Sequence, residues 1–220
     1  MRSRLEVCDC ANNMASGSIP DYWEQAKLDL SSDPVLSRLF EKYDDSLQAS
    51  DTNLFRTLIV SIVGQQISTV AASAVRERLE ELVGELEPES ILARSHEELR
   101  SCGLSNMKAE YIAGLAFAWT EGYQDIDWQS LSDEEAMVKL TALRGVGSWT
   151  AEMVLIFALL RPDVMPLTDI GLIRAVEKQY NQGNEISAEQ IGKISQNWIP
   201  WRTVATWYLW RSMDPEPVHY

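Results

Sequence analysis

Helix-starting signals recur along the chain from about residue 19 to residue 212, and no segment alternates apolar and polar residues as a half-buried strand would. The pattern begins with Tyr22–Leu30. Asp33-Pro34 then opens a helix to about Tyr43, the proline falling where a first helical turn does not need its missing N–H. Asn53–Val63, Ser68–Val83, Pro88–Ala93, His96–Cys102 and a run from Ser105 to about Gly122 follow. Ser132 with Glu135, and Ser187 with Gln190, form capping boxes for helices reaching Leu143 and covering Ala188–Trp198. Between them lie an apolar helix, Trp149–Leu160, and Ile170–Tyr180 capped by Thr168 or Asp169; Pro200 opens a last helix to about Ser212. The fold class is therefore all-α, without an internal repeat of 20–50 residues.

A length of 220 residues suits one large domain or two small ones sharing a cleft, and 45% hydrophobic content is enough for a packed core. Residues 1–17 are small, polar and charged without periodicity and read as a disordered tail. Neither a stretch of eighteen apolar residues nor a basic-then-apolar leader is present, so no membrane association is expected and the location is cytoplasmic, or with DNA in a nucleoid or nucleus. Cys8, Cys10 and Cys102 are too few and too scattered for a zinc finger, an iron–sulfur cluster or a disulfide framework.

A net charge of −14 argues against a polyanionic partner unless charge is placed locally. Residues 138–213 carry eight basic and six acidic side chains, and the windows 52–76 and 99–109 hold no acid at all. Within the first of these regions lies Leu143-Arg144-Gly145-Val146-Gly147-Ser148, two glycines one residue apart between an amphipathic helix and an apolar one. Such a turn can aim backbone amides at a phosphate, or it can be an ordinary corner between helices. Asp169, between Pro166 and a helix start, likewise has two readings: a plain N-cap, or an acid at the mouth of a cleft.

The stretch LRGVGSWTAEMVLIFALLRPDVMPLTDIGLIRAV resembles the helix-hairpin-helix and Gly/Pro…Asp loop of the DNA glycosylase superfamily. IVGQQIST (Ile62–Thr69), GLSNMKAEYI (Gly103–Ile112) and WIPWRTVATWYLWR (Trp198–Arg211) are similar to blocks of its alkylation branch, DNA-3-methyladenine glycosylase II. The resemblance spans roughly residues 52–211. It implies two helical lobes around a cleft: a central lobe, 52–165, and a second made of 18–51 joined by 166–213. It also implies excision of alkylated purines from duplex DNA, with Asp169 as the catalytic acid and Trp210 and Trp149 in the base pocket.

Cleavage of a purine from deoxyribose passes through an oxocarbenium-like sugar that a carboxylate stabilises, and an indole attracts a cationic base. The position that holds a nucleophilic lysine in strand-nicking relatives is Trp149, so a monofunctional enzyme is implied. DNA contacts are carried over to Gln65, Gln66, Ser68, Ser105, Lys108, Gly145, Val146, Gly147, Ser148, Trp149 and Thr150. Gln66 takes the place of the side chain that fills the gap left by the extruded nucleotide. Ser105 and Lys108 either touch phosphate or cap and solvate a helix. Carbonyls of Thr141, Leu143 and Val146 match those that hold sodium or potassium in the family; no other cofactor is implied, and the partner is duplex DNA met by a monomer. Two other functions are a non-catalytic helix-hairpin-helix binding module and a glycosylase for oxidised or mismatched bases.

Overall fold

The computed structural model describes residues 19–47 and 53–213; the expected tail, 1–17, lies outside the described residues, as do Cys8 and Cys10. The described residues form α1 (Trp23–Leu30), α2 (Pro34–Lys42), α3 (Leu54–Gly64), α4 (Thr69–Val83), α5 (Pro88–Leu92) and α6 (His96–Ser101). After these come α7 (Asn106–Thr120), α8 (Asp133–Thr141), α9 (Ser148–Phe157), α10 (Ile170–Tyr180), α11 (Ala188–Ser195) and α12 (Arg202–Arg211). Short 3-10 turns occupy Tyr123–Asp125 and Gln196–Trp198, and no strand occurs among the described residues.

Starts of helices follow the side chains that satisfy their first N–H groups. Asp33, Asn53, Ser68, Ser105 and Asp169 each accept such a bond, and Ser132 and Ser187 complete their expected capping boxes. A further box, Ser95 with Glu98, starts α6. Helix ends follow less local rules. The apolar helix α9 stops at Phe157 instead of Leu160: Leu160 turns to φ 53°, and the Arg161 N–H closes the helix end on the Leu155 carbonyl at 2.8 Å. The helix ending at Leu143 in the sequence reading ends at Thr141, and Val146 N–H closes a turn onto the Leu143 carbonyl at 3.1 Å. Pro200 does not open α12. Its peptide bond with Ile199 is cis, Trp201 N–H bonds the Trp198 carbonyl across it, and the helix begins after that turn at Arg202.

The helices pack in two groups. In the first, α3 buries Phe55, Leu58, Ile59, Ile62 and Val63 against α4, α7 and α9, with α5 and α6 on α7 and α8 on α9. In the second, α12 packs on α1, α2 and α10. Each fully buried leucine or isoleucine contributes about 1.5–3 kcal/mol of burial free energy. The core runs through both groups, and α9, which buries Thr150, Ala151 and Met153–Phe157, sits where they meet. At that junction Phe157 stacks on Trp210 of α12, with ring centroids 6.0 Å apart and planes 12° from parallel. Among the described residues, no helix is long and apolar enough to cross a membrane.

Candidate active site

Asp169 stands at the first turn of α10, where the two groups of helices meet. Its Oδ1 accepts the Leu172 N–H at 2.6 Å, so the residue is an N-cap. The same carboxylate does more. Oδ1 also accepts the indole N–H of Trp210 at 2.8 Å, and Oδ2 accepts that of Trp149 at 2.8 Å. Three elements, α9, α10 and α12, thus converge on one side chain through N–H donors only, partners that suit an acceptor-only carboxylate. The cap reading and the acid reading of Asp169 are compatible, because capping occupies one oxygen and leaves the group half-exposed.

Two further residues at this site escaped the sequence reading. Gly171 lies beside the carboxylate: a Cβ there would come to 3.1 Å from Asp169 Oδ1 and 3.6 Å from Trp210 Cδ1, so a side chain would crowd the acid. Its signal was the glycine two residues after the aspartate. Glu152 follows Trp149 by three residues along α9, and its Oε2 is shielded from solvent without a hydrogen-bond partner. Burial, and then the charge of Asp169, push its carboxyl up to about 7. An acid inside an otherwise apolar helix was the legible hint.

The hairpin between α8 and α9 turns through Gly145 at φ 90°. Gly147 is the N-cap of α9 and offers no side-chain cap, so the first amides of α9, at Ser148 and Trp149, point out from a positive helix end. Ser148 is exposed, whereas the Val146 side chain is 5% exposed and can offer only its backbone. Beside the hairpin lies the connection between α3 and α4, where Gln66 is exposed and left-handed, at φ 59°. A recess of about 400 Å³ separates the two, lined by Gln66, Ser105, Lys108, Tyr111 and Gly145 among others. It is distinct from the Asp169 site.

Several of the expected DNA contacts also bond within the chain. The Lys108 ammonium donates to the carbonyls of Val63 at 2.8 Å and Gln65 at 2.7 Å. Gln65 turns its amide inward, donating to the Gly145 carbonyl at 3.0 Å and Thr150 Oγ1 at 3.2 Å. Thr150 is 2% exposed, so its hydroxyl belongs to that internal bond. Ser68 and Ser105 cap α4 and α7. The local excess of basic residues is also partly neutralised: Arg144 pairs with Glu110, Arg161 with Asp133, Arg202 with Asp163 and Arg211 with Asp45. Most of the remaining tryptophans of the C-terminal block are structural. Trp198 and Trp207 are buried, and Trp201 bonds Asp29 while stacking on Tyr22.

The HhH-GPD model, describing a superfamily of base excision DNA repair proteins, matches residues 59–201, a span holding the hairpin and Asp169. The chain belongs to this superfamily. Among HhH-GPD relatives, DNA-3-methyladenine glycosylase 1 of Schizosaccharomyces pombe is 30% identical over 182 residues, covering 80% of this chain and 80% of that one. The S. pombe 3-methyladenine DNA glycosylase Mag1, solved in complex with abasic DNA, superimposes with a TM-score of 0.75 at 29% identity, covering 86% of this chain and 96% of that one. A DNA-3-methyladenine glycosidase from Bacillus halodurans gives a TM-score of 0.71 at 35% identity, over 86% and 88% of the two chains. The all-helical HhH-GPD fold is thus the one built here.

Proposed function

We propose that this protein is a monofunctional DNA glycosylase of the DNA-3-methyladenine glycosylase II type. It flips alkylated purines out of duplex DNA and hydrolyses the N-glycosidic bond, initiating base excision repair as a monomer. The observation that carries this reading is one half-exposed carboxylate, Asp169, hydrogen-bonded by two indoles. A binding module needs no such acid. As the C1′–N bond breaks, its electron pair leaves with the purine, and the carboxylate faces the cationic sugar that remains. Water then adds at C1′ and its proton passes to the carboxylate or to solvent. An alkylated purine already carries positive charge and departs neutral, so no strong acid is required. Phe157 stacks on the Trp210 indole and orients a ring that attracts a cationic base.

With Trp149 at the position of the strand-nicking lysine, the chain offers no amine there for a Schiff base. That feature also separates this reading from a lyase acting on oxidised bases. The exposed amides at the start of α9 suit a DNA phosphate. The carbonyls of Thr141, Leu143 and Val146 are neutral oxygen donors of the kind a sodium or potassium ion takes, and such an ion would add positive charge beside the phosphate.

Base release from methylated duplex DNA tests the reading. Wild-type protein is expected to free 3-methyladenine while leaving the strand intact until alkali is added, and borohydride is expected to trap no covalent adduct. Asp169→Asn should lower release to below about a tenth of wild type while retaining affinity for an abasic-site analogue. Retained turnover would remove Asp169 from the chemistry, and a trapped adduct would overturn the monofunctional assignment.

A further inference from the structure

Lys108, a candidate phosphate contact in the sequence, bonds within the protein. It sits in the first turn of α7, and its side chain crosses to the end of α3, where the Val63 and Gln65 carbonyls have no further helix to bond. A cation at a helix C-terminus satisfies those carbonyls and the negative end of the dipole together. Burial lowers the lysine pKa from its ordinary value, so the position is held against a desolvation cost. Gln65, whose carbonyl Lys108 holds, uses its side chain to grip Gly145 and Thr150 of the hairpin and α9. The next residue, Gln66, is exposed and left-handed without being glycine, a conformation that persists only where its flanks are fixed. The chain of bonds therefore runs from α7 through Lys108 to the connection, and through Gln65 to the hairpin.

We propose that Lys108 is the positioning residue of the DNA-filling connection: by holding the Val63 and Gln65 carbonyls it locks Gln66 to the hairpin, so that phosphate grip and nucleotide extrusion act as one rigid unit. The inference rests on the reading of Gln66 as the side chain that fills the vacated stack. It assigns Lys108 to extrusion and not to affinity. Misplacing a positioned group by about an ångström can cost on the order of 100-fold in rate, whereas losing one phosphate contact lowers the salt slope of binding by about 0.9.

Lys108→Met keeps the aliphatic stem and removes the donors. In single-turnover excision of 7-methylguanine we expect its rate on duplex DNA to fall roughly 10- to 100-fold. The rate on the same strand without its complement, where nothing has to be unpaired, should stay within about twofold. The fluorescence rise of 2-aminopurine beside the lesion, which reports unstacking, should be lost, with the salt slope on undamaged duplex unchanged. Lys108→Gln, which keeps donor hydrogens without charge, should recover part of the rise, and melting curves of both variants check folding. A smaller salt slope with a normal fluorescence rise would make Lys108 a phosphate contact. Equal losses on duplex and single strand would make it merely structural. Gln66→Ala separates the two readings. If it leaves the rise intact, the filling role of Gln66 fails; if it abolishes the rise and Lys108→Met does not, the role of Lys108 alone fails.

Discussion

At the scale of single residues, the site couples two carboxylates of different character. Asp169 is bonded by three N–H donors, whereas Glu152 has an oxygen shielded from water with no partner. Glu152 therefore holds its proton more tightly folded than unfolded, with a folded value of about 7 against an ordinary 4.5. A raised carboxyl contributes stability that is present in full below the unfolded value and lost as pH rises through the folded one. The melting temperature should accordingly fall between pH 4.5 and about 7, and Glu152→Gln should flatten that part of the profile. Thermal melts of both proteins across this window check it; parallel profiles would place the titration elsewhere. Asp169 was legible in the sequence because a helix start and a matching motif coincide there. Trp149 and Trp210 were placed in the same pocket only by the resemblance; their indole bonds join residues 20 and 41 positions away and leave no local trace.

At the scale of elements, the caps were readable and the corners were not. Ser132, Ser187 and Asp33 act within three residues of themselves, so their patterns carry the information. The end of α9, where the non-glycine Leu160 turns left-handed, carries no such pattern. The hairpin glycines, alike in sequence, differ in the structure. A Cβ on Gly145 would lie 2.4 Å from the Tyr111 ring at φ 90°, whereas on Gly147 it would meet nothing within 4 Å. Gly145→Ala should therefore lower the melting temperature and weaken DNA binding, by roughly 1–3 kcal/mol of stability. Gly147→Ala should leave melting unchanged, and any loss it shows must appear in DNA affinity alone. Equal melting shifts for the two would contradict the contact with Tyr111.

At the scale of the whole molecule, polar bonds between distant segments hold the second helical group together. Asp33 caps α2 through Oδ1, while its Oδ2 accepts the Tyr180 hydroxyl at 2.9 Å and the Trp198 indole N–H at 3.2 Å. Removing it strands two donors as well as a cap. Asp33→Ala should then cost more than the ~1 kcal/mol typical of a lost cap, on the order of 2–4 kcal/mol, measured by denaturant unfolding. A loss of 1 kcal/mol or less would show that the two donors find other partners. None of these pairings was visible in the sequence beyond the cap itself, because charge counts do not say which residues meet. The packing of α1 and α2 on α12 also sets an order of events during synthesis. About 160 residues separate the end of α2 from the start of α12, so the first helices leave the ribosome roughly 10–30 s before their packing partner exists. Trp210 arrives with α12, so until that helix is made a nascent chain holds an unfinished pocket.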